Sequence, residues 1–144
     1  MANTLKLIHN YNFSNEIVDF DELLSVARSN LNSNRLDMSE FIEHKNIGSP
    51  EKVLKYLVEN KPTNIKSHLL HGDFRPKNML VSNDILYVLD YGLSFYGDIY
   101  YDFAIFKYYL TEDEFVKFIN FYGIRDIDEE RLRYNELLSL FLNV

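Results

Sequence analysis

The chain has 144 residues, 47% of them hydrophobic and 26% charged, with a formal charge of −7; this fits one compact domain with a real core and excludes a disordered chain. Cysteine is absent, which excludes disulfides, thiolate catalysis and cysteine-ligated zinc and fits a reducing, cytoplasmic setting. No apolar run reaches the roughly 18 residues of a membrane helix, the start lacks a signal peptide's apolar core, and the negative charge disfavours nucleic acid and favours cationic partners.

Leu5, Leu7 and Ile8 place an opening helix, and Leu23, Leu24, Ala27 and Leu31 recur at helical spacing in a second. A third starts at Ser49, a capping residue, with Pro50 at the first helical position and Glu51 at the positive end. Val53, Leu54, Leu57 and Val58 form its buried stripe, and Asn60 and Pro62 end it. The middle is different. His68, Leu69 and Leu70 form a short apolar run. Two extended runs, Met79 to Val81 and Ile85 to Leu89, flank the turn residues Ser82, Asn83 and Asp84 and predict a β-hairpin. Helix then returns over Ile99 to Leu110, where the aromatics from Phe95 to Tyr109 read as core. Thr111 and Glu114 have capping-box spacing for a helix that buries Phe115, Phe118, Ile119 and Tyr122 and ends at Gly123. Asp126 or Asp128 caps a last helix bearing Leu132, Leu137 and Leu138. Helices around one small hairpin predict a mainly helical α+β fold over residues 1–144 as a single domain.

Chemistry concentrates in His71-Gly72-Asp73-Phe74-Arg75-Pro76-Lys77-Asn78, followed by the hairpin and by Asp90-Tyr91-Gly92. Phosphoryl transfer from ATP needs a carboxylate beside the attacking hydroxyl and oxygen ligands for magnesium. In the kinase signature the base Asp precedes a metal-binding Asn by five residues, and a second Asp, followed by an aromatic residue and Gly, returns after a hairpin. Asp73, Asn78 and Asp90 follow that order and spacing. A metal centre on His68, His71 and Asp73 needs a distant third histidine, and only His9 and His44 remain. Arg75 and Lys77 suit either phosphate contact or a solvated loop. The acids Glu40, Glu43, Glu112, Asp113 and Glu114 suit either a polyamine or a solvated face.

His-Gly-Asp, four residues and Asn, followed by Gly97-Asp98-Ile99-Tyr100-Tyr101-Asp102-Phe103-Ala104, resembles the aminoglycoside phosphotransferase and choline-kinase-like family. The nearest branch is the aminoglycoside 3′-phosphotransferases. The resemblance extends from the opening helix to the segment after Tyr122-Gly123-Ile124. It implies a protein-kinase-like C-terminal lobe that moves the γ-phosphoryl group of ATP to a hydroxyl of a small, cationic molecule such as an aminoglycoside. Asp73 would be the catalytic carboxylate, with Asn78 and Asp90 on magnesium and nucleotide. His71 would brace the loop, and Asp98 and Asp102 would be structural.

The five glycines, at 48, 72, 92, 97 and 123, are scattered, so no Gly-rich phosphate loop is formed, and no strand precedes the first helix to supply a phosphate-binding Lys. The N-terminal ATP-covering lobe is therefore expected to be absent. Three consequences are expected: slow or no ATP turnover by the chain alone, exposed apolar residues including some of Leu5, Ile8, Met79 and Leu80, and self-association, a complementing small lobe or poor solubility. The alternative function is a non-catalytic lobe that binds a ligand or partner. The stretch Ser139 to Val144 brings none of the acids that the 3′-phosphotransferase resemblance implies there.

Overall fold

The computed structural model describes residues 1–11, 16–43 and 48–143. Among them lie seven α-helices: α1 (Ala2–Asn10), α2 (Phe20–Asn32), α3 (Met38–Glu43), α4 (Pro50–Glu59), α5 (Tyr100–Lys107), α6 (Glu112–Tyr122) and α7 (Glu129–Leu142). Four short strands, β1 (His68–Leu70), β2 (Met79–Ser82), β3 (Ile85–Val88) and β4 (Phe95–Gly97), form two antiparallel pairs, β1 with β4 and β2 with β3.

Helix α5 organises the interior. It carries Tyr100, Tyr101, Phe103, Ala104, Ile105 and Phe106, all buried, and a helix apolar on every side belongs inside. Its Tyr101 and Ile105 join one cluster with Leu24 and Ala27 of α2, Val53 and Leu57 of α4 and Leu138 and Phe141 of α7. Its Phe103 and Phe106 join a second with Leu5 and Ile8 of α1, Phe118 and Ile119 of α6, and Phe74. Phe74 follows Asp73 directly, so the central loop is anchored in the core by its own side chain.

The ends of the helices follow local chemistry. Thr111 and Glu114 form the expected capping box, and Gly123 closes α6 at φ +106°. Asp128, not Asp126, caps α7 by accepting from the Arg131 N–H. Ser49 does not cap α4 as expected: its hydroxyl donates to the Glu51 carboxylate at 2.6 Å instead. Asp19 caps α2 through the Glu22 N–H.

The hairpin pairs Met79 with Val88 and Ser82 with Ile85, so Ser82 belongs to the strand and the turn is two residues long. Asn83 and Asp84 take φ of +49° and +61°, which such a turn requires and which Asn and Asp tolerate best. Two elements went unread in the sequence, α3 and β4. Strand β4 is three residues long and is defined by its partner, with His68 opposite Gly97 and Leu70 opposite Phe95. Helix α5 is shorter than the expected 99–110 span. Val58 is 38% exposed rather than part of the α4 stripe, and Tyr96, Tyr108 and Tyr109 lie at the surface, outside the core expected for that aromatic run. Leu5 and Ile8 are buried, against the expectation of exposure, because α6 covers them. Leu80 is exposed as expected, and so are Val81, Ile85, Tyr87 and Leu89.

Candidate active site

The loop between β1 and β2 is held from below by one carboxylate. Asp102, on the buried helix α5, accepts the His71 N–H through Oδ2 at 2.8 Å and the Gly72 N–H through Oδ1 at 2.9 Å. Its Oδ2 also accepts from His9 Nε2 at 2.9 Å, and His9 Nδ1 lies 2.8 Å from the Tyr122 hydroxyl. All three polar groups are buried, and burial first, then the Asp102 charge, push the Tyr122 phenol up, so it keeps the proton it donates to His9. The chain Tyr122–His9–Asp102 ties α1, α5 and α6 to the loop. The opening helix was legible in the sequence, but nothing in the spacing pointed to this use of His9.

Gly72 takes φ +80°, and a Cβ there would stand 2.0 Å from the Leu93 carbonyl oxygen. Only glycine fits, and the close approach fixes the loop against the segment after Asp90-Tyr91-Gly92. His71 adds a second tie. Its Nδ1 accepts from the Asp73 N–H at 3.2 Å and its Nε2 donates to the Leu89 carbonyl at 3.0 Å. Its ring lies 4.7 Å from Tyr91 and 5.9 Å from Phe74, centroid to centroid. His71 therefore braces the loop.

Asp73 is 3% exposed. Asn78 Nδ2 donates to both its Oδ2, at 2.8 Å, and its carbonyl oxygen, at 2.9 Å. Arg75 Nε contacts Oδ1, and Lys77 Nζ stands 3.6 Å from Oδ2. Arg75 and Lys77 thus compensate the buried carboxylate. Burial opposes the Arg75 charge, but the neighbouring Asp73 carboxylate and Tyr109 hydroxyl outweigh it and raise the guanidinium above its ordinary value.

The structure brings Asp73 and Asn78 into contact. The residue before Asp90 is tied to Asn78, where the Leu89 N–H donates to the Asn78 carbonyl at 2.8 Å. No hydrogen bond links the Asp90 carboxylate to Asp73 or Asn78 among the described residues; its Oδ1 accepts a long 3.4 Å bond from the Gly92 N–H. Asp90 is exposed and takes φ +60°, a left-handed state that Asp, like Asn83 and Asp84 in the hairpin turn, adopts more readily than most residues. An amide oxygen and an exposed carboxylate are oxygen donors of the kind magnesium takes.

Arg75, which contacts Asp73, also lines a cavity of about 470 Å³ together with Tyr109 and the acids Asp37, Glu40, Glu112 and Glu136. The cavity's two cations are engaged, Arg75 with Asp73 and Lys107 with Glu136 at 3.0 Å. Bonds from the Ser39 hydroxyl and N–H hold the Asp37 carboxyl below its ordinary range. Of the acids marked in the sequence, Glu40 and Glu112 reach this cavity, Glu114 is spent on the capping box, and the Glu43 side chain lies outside the described residues. Asp37 and Glu136 went unnoticed because the fold alone brings them together.

Other marked residues have structural partners. Asp98 accepts the Arg131 guanidinium through both oxygens, at 2.7 and 2.5 Å, as well as Asn135 Nδ2 and the Tyr100 N–H. His68 Nδ1 bonds to the His9 carbonyl at 3.0 Å. No metal-binding group of three His, Asp or Glu residues exists among the described residues, and His44 lies outside them.

Comparison with known proteins agrees with this architecture. The model of the phosphotransferase enzyme family (APH) matches residues 1–137, and the chain belongs to that family. No curated protein matches the sequence. The aminoglycoside phosphotransferase APH(3'')-Id from Streptomyces rimosus is 21% identical with a TM-score of 0.75, over 98% of this chain and 59% of its own. It has also been solved in complex with ADP and streptomycin. An aminoglycoside-3'-phosphotransferase of type VIII is 21% identical with a TM-score of 0.80, over 97% of this chain and 58% of its own. A choline/ethanolamine kinase family protein from Mesorhizobium loti is 14% identical with a TM-score of 0.61, over 92% of this chain and 46% of its own. The chain thus spans about three fifths of the two aminoglycoside phosphotransferase structures and less than half of the choline kinase relative.

Proposed function

We propose that the chain is the C-terminal, kinase-like lobe of a small-molecule phosphotransferase and that it takes part in transfer of the ATP γ-phosphoryl group to a hydroxyl of a cationic acceptor such as an aminoglycoside. The observation that carries this reading is Asp73. It is a buried carboxylate hydrogen-bonded to Asn78 five residues on and contacted by Arg75, which lines a cavity holding more acid than base.

Asp73 accepts the hydrogen bond of the acceptor hydroxyl, aims its oxygen, and takes its proton late in the step. Arg75, which lines the cavity, contacts the Asp73 oxygen, so an arriving hydroxyl displaces or shares that contact. Asp37, Glu40 and Glu112 hold ammonium groups of the acceptor. Asn78 and Asp90 would hold magnesium, which when bound neutralises charge on the nucleotide phosphates. The ADP complex of the Streptomyces rimosus relative supports nucleotide use.

The test is calorimetry of ADP binding with and without magnesium, together with phosphate transfer from ATP to an aminoglycoside panel. Magnesium-dependent ADP binding that Asp90→Ala removes is expected; transfer by the chain alone is expected to be slow, and Asp73→Asn should lower it further, by roughly 10³-fold. ADP binding indifferent to magnesium and to Asp90 would show that the site is misassigned.

A second reading is a non-catalytic partner-binding lobe. The exposed apolar run Leu80, Val81, Ile85 and Tyr87 on the hairpin favours it. Complex formation that persists in Asp73→Asn, with no transfer by the parent chain, would select this reading.

A further inference from the structure

We propose that the cavity between α2 and β4 is a second small-molecule site, shaped for an aromatic amine and separate from the acidic cavity that Arg75 lines. Its volume is about 390 Å³, within the range that holds a drug-sized molecule. Phe95, Tyr96 and Tyr101 supply aromatic walls, and Val26 supplies an aliphatic one. The acidic cavity shares none of these walls, and of the residues lining either cavity only Asn143 borders both.

Two polar features give the site chemical character. Tyr101 is 2% exposed overall and lines the cavity, and its hydroxyl makes no hydrogen bond among the described residues, which leaves it free to meet an occupant. Burial, then the nearby Asp102 and Asp73 charges, push its phenol far up, so it stays neutral and able to donate. Glu22 lies at the mouth. Its N–H is taken by the Asp19 cap, and its carboxylate makes no ion pair among the described residues. An aromatic ring set among these walls offers its π face to the Tyr101 O–H, and an ammonium on the same molecule, which has donors only, lies beside the Glu22 carboxylate, so both features are satisfied.

The site also touches the loop that carries Asp73. Gly72 and Leu93 line the cavity, and their backbones meet so closely that a Cβ on Gly72 would overlap the Leu93 oxygen. An occupant therefore rests on the residue before Asp73 and on the segment just after Asp90-Tyr91-Gly92.

The experiment is an NMR titration of the ¹⁵N-labelled chain with phenethylamine, with 2-phenylethanol as its neutral counterpart. Saturable shifts are expected at the amides of Gly72, Leu93 and Tyr96, with the amine bound roughly threefold more tightly than the alcohol. Tyr101→Phe should weaken both probes roughly fivefold. Glu22→Gln should abolish the preference for the amine. Val26→Trp, a change at an exposed helix position, should fill the cavity and remove the shifts while the rest of the spectrum stays in place. Absence of saturable shifts overturns the proposal, and so do shifts confined to Tyr109 and Glu112 or binding indifferent to Val26→Trp and Tyr101→Phe.

Discussion

The loop that carries Asp73 and the hairpin that leads to Asp90 meet at one place and are held by opposite means. The loop is buried: His71 and Gly72 are tied to Asp102, Asp73 is held by Asn78, and Phe74 sits in the core. The hairpin presents Leu80, Val81, Ile85 and Tyr87 to the surface and ends on Asp90 in a left-handed backbone state. One half of the site is therefore fixed by the fold, while the other hangs from an element whose outer face the described residues leave open. Burial with satisfied hydrogen bonds gives high local stability, and exposure gives low.

The largest expected effect strikes the fixed half. In Gly72→Ala the new methyl has backbone, not a movable side chain, in its way, at 2.0 Å, and a φ of +80° adds strain. A loss of about 3 kcal/mol or more in urea unfolding is expected. A stability within about 0.5 kcal/mol of the parent would show that the loop yields and would break the contrast with the hairpin.

Next comes Asp102→Asn. Its carboxylate accepts three buried donors, from His71, Gly72 and His9. An amide offers one acceptor oxygen and turns its NH₂ toward the remaining donors. The expected cost is about 2 kcal/mol, with faster amide exchange at Gly72 and no change in the hairpin. Equal acceleration in both regions would mean that they do not behave as separate units.

Alkaline pH sharpens the comparison. Burial pushes the phenols of Tyr101, Tyr122 and Tyr134 up from their ordinary value near 10. The folded chain keeps these protons at a pH where the unfolded chain has begun to release them. Their contribution is thus complete below about pH 10 and declines as pH rises above it. Urea midpoints measured from pH 8 to 11 should fall above 10, and Tyr122→Phe should lessen the fall. A flat profile would contradict the burial of these hydroxyls.

The sequence showed most clearly what is local. The Thr111 and Glu114 box, the Gly123 stop and the alternating hairpin each depend on a few neighbouring residues, and the structure has them. The spacing of Asp73 and Asn78 likewise reflects a single tight turn. What could not be read was set by distant partners: β4 exists because β1 lies beside it, His9 matters because Asp102 and Tyr122 face it, and Glu136 joins Glu40 only once α3 and α7 are placed. Ser49 shows that a permitted cap is not an obligatory one, because the Glu51 carboxylate offered its hydroxyl a better partner.

The smallest effect on stability is expected on the hairpin, and there it tells most about function. Leu80 and Tyr87 are paired across β2 and β3 and are 54% and 46% exposed. Met79 and Val88, the neighbouring pair, turn inward and pack against the core. Replacing Leu80 and Tyr87 by Ser therefore removes a cross-strand contact worth about 0.2–1 kcal/mol but leaves the inward pair, so stability should fall by less than about 1 kcal/mol. The same change removes much of an apolar face on a two-stranded sheet with unpaired edges, a surface that favours association. Sedimentation of the parent chain should show self-association with rising concentration, and the double variant should remain a monomer. If the parent is monomeric throughout, the outer face of the hairpin is at ease in water, and Asp90 takes its position from β3 and the Leu89–Asn78 bond alone.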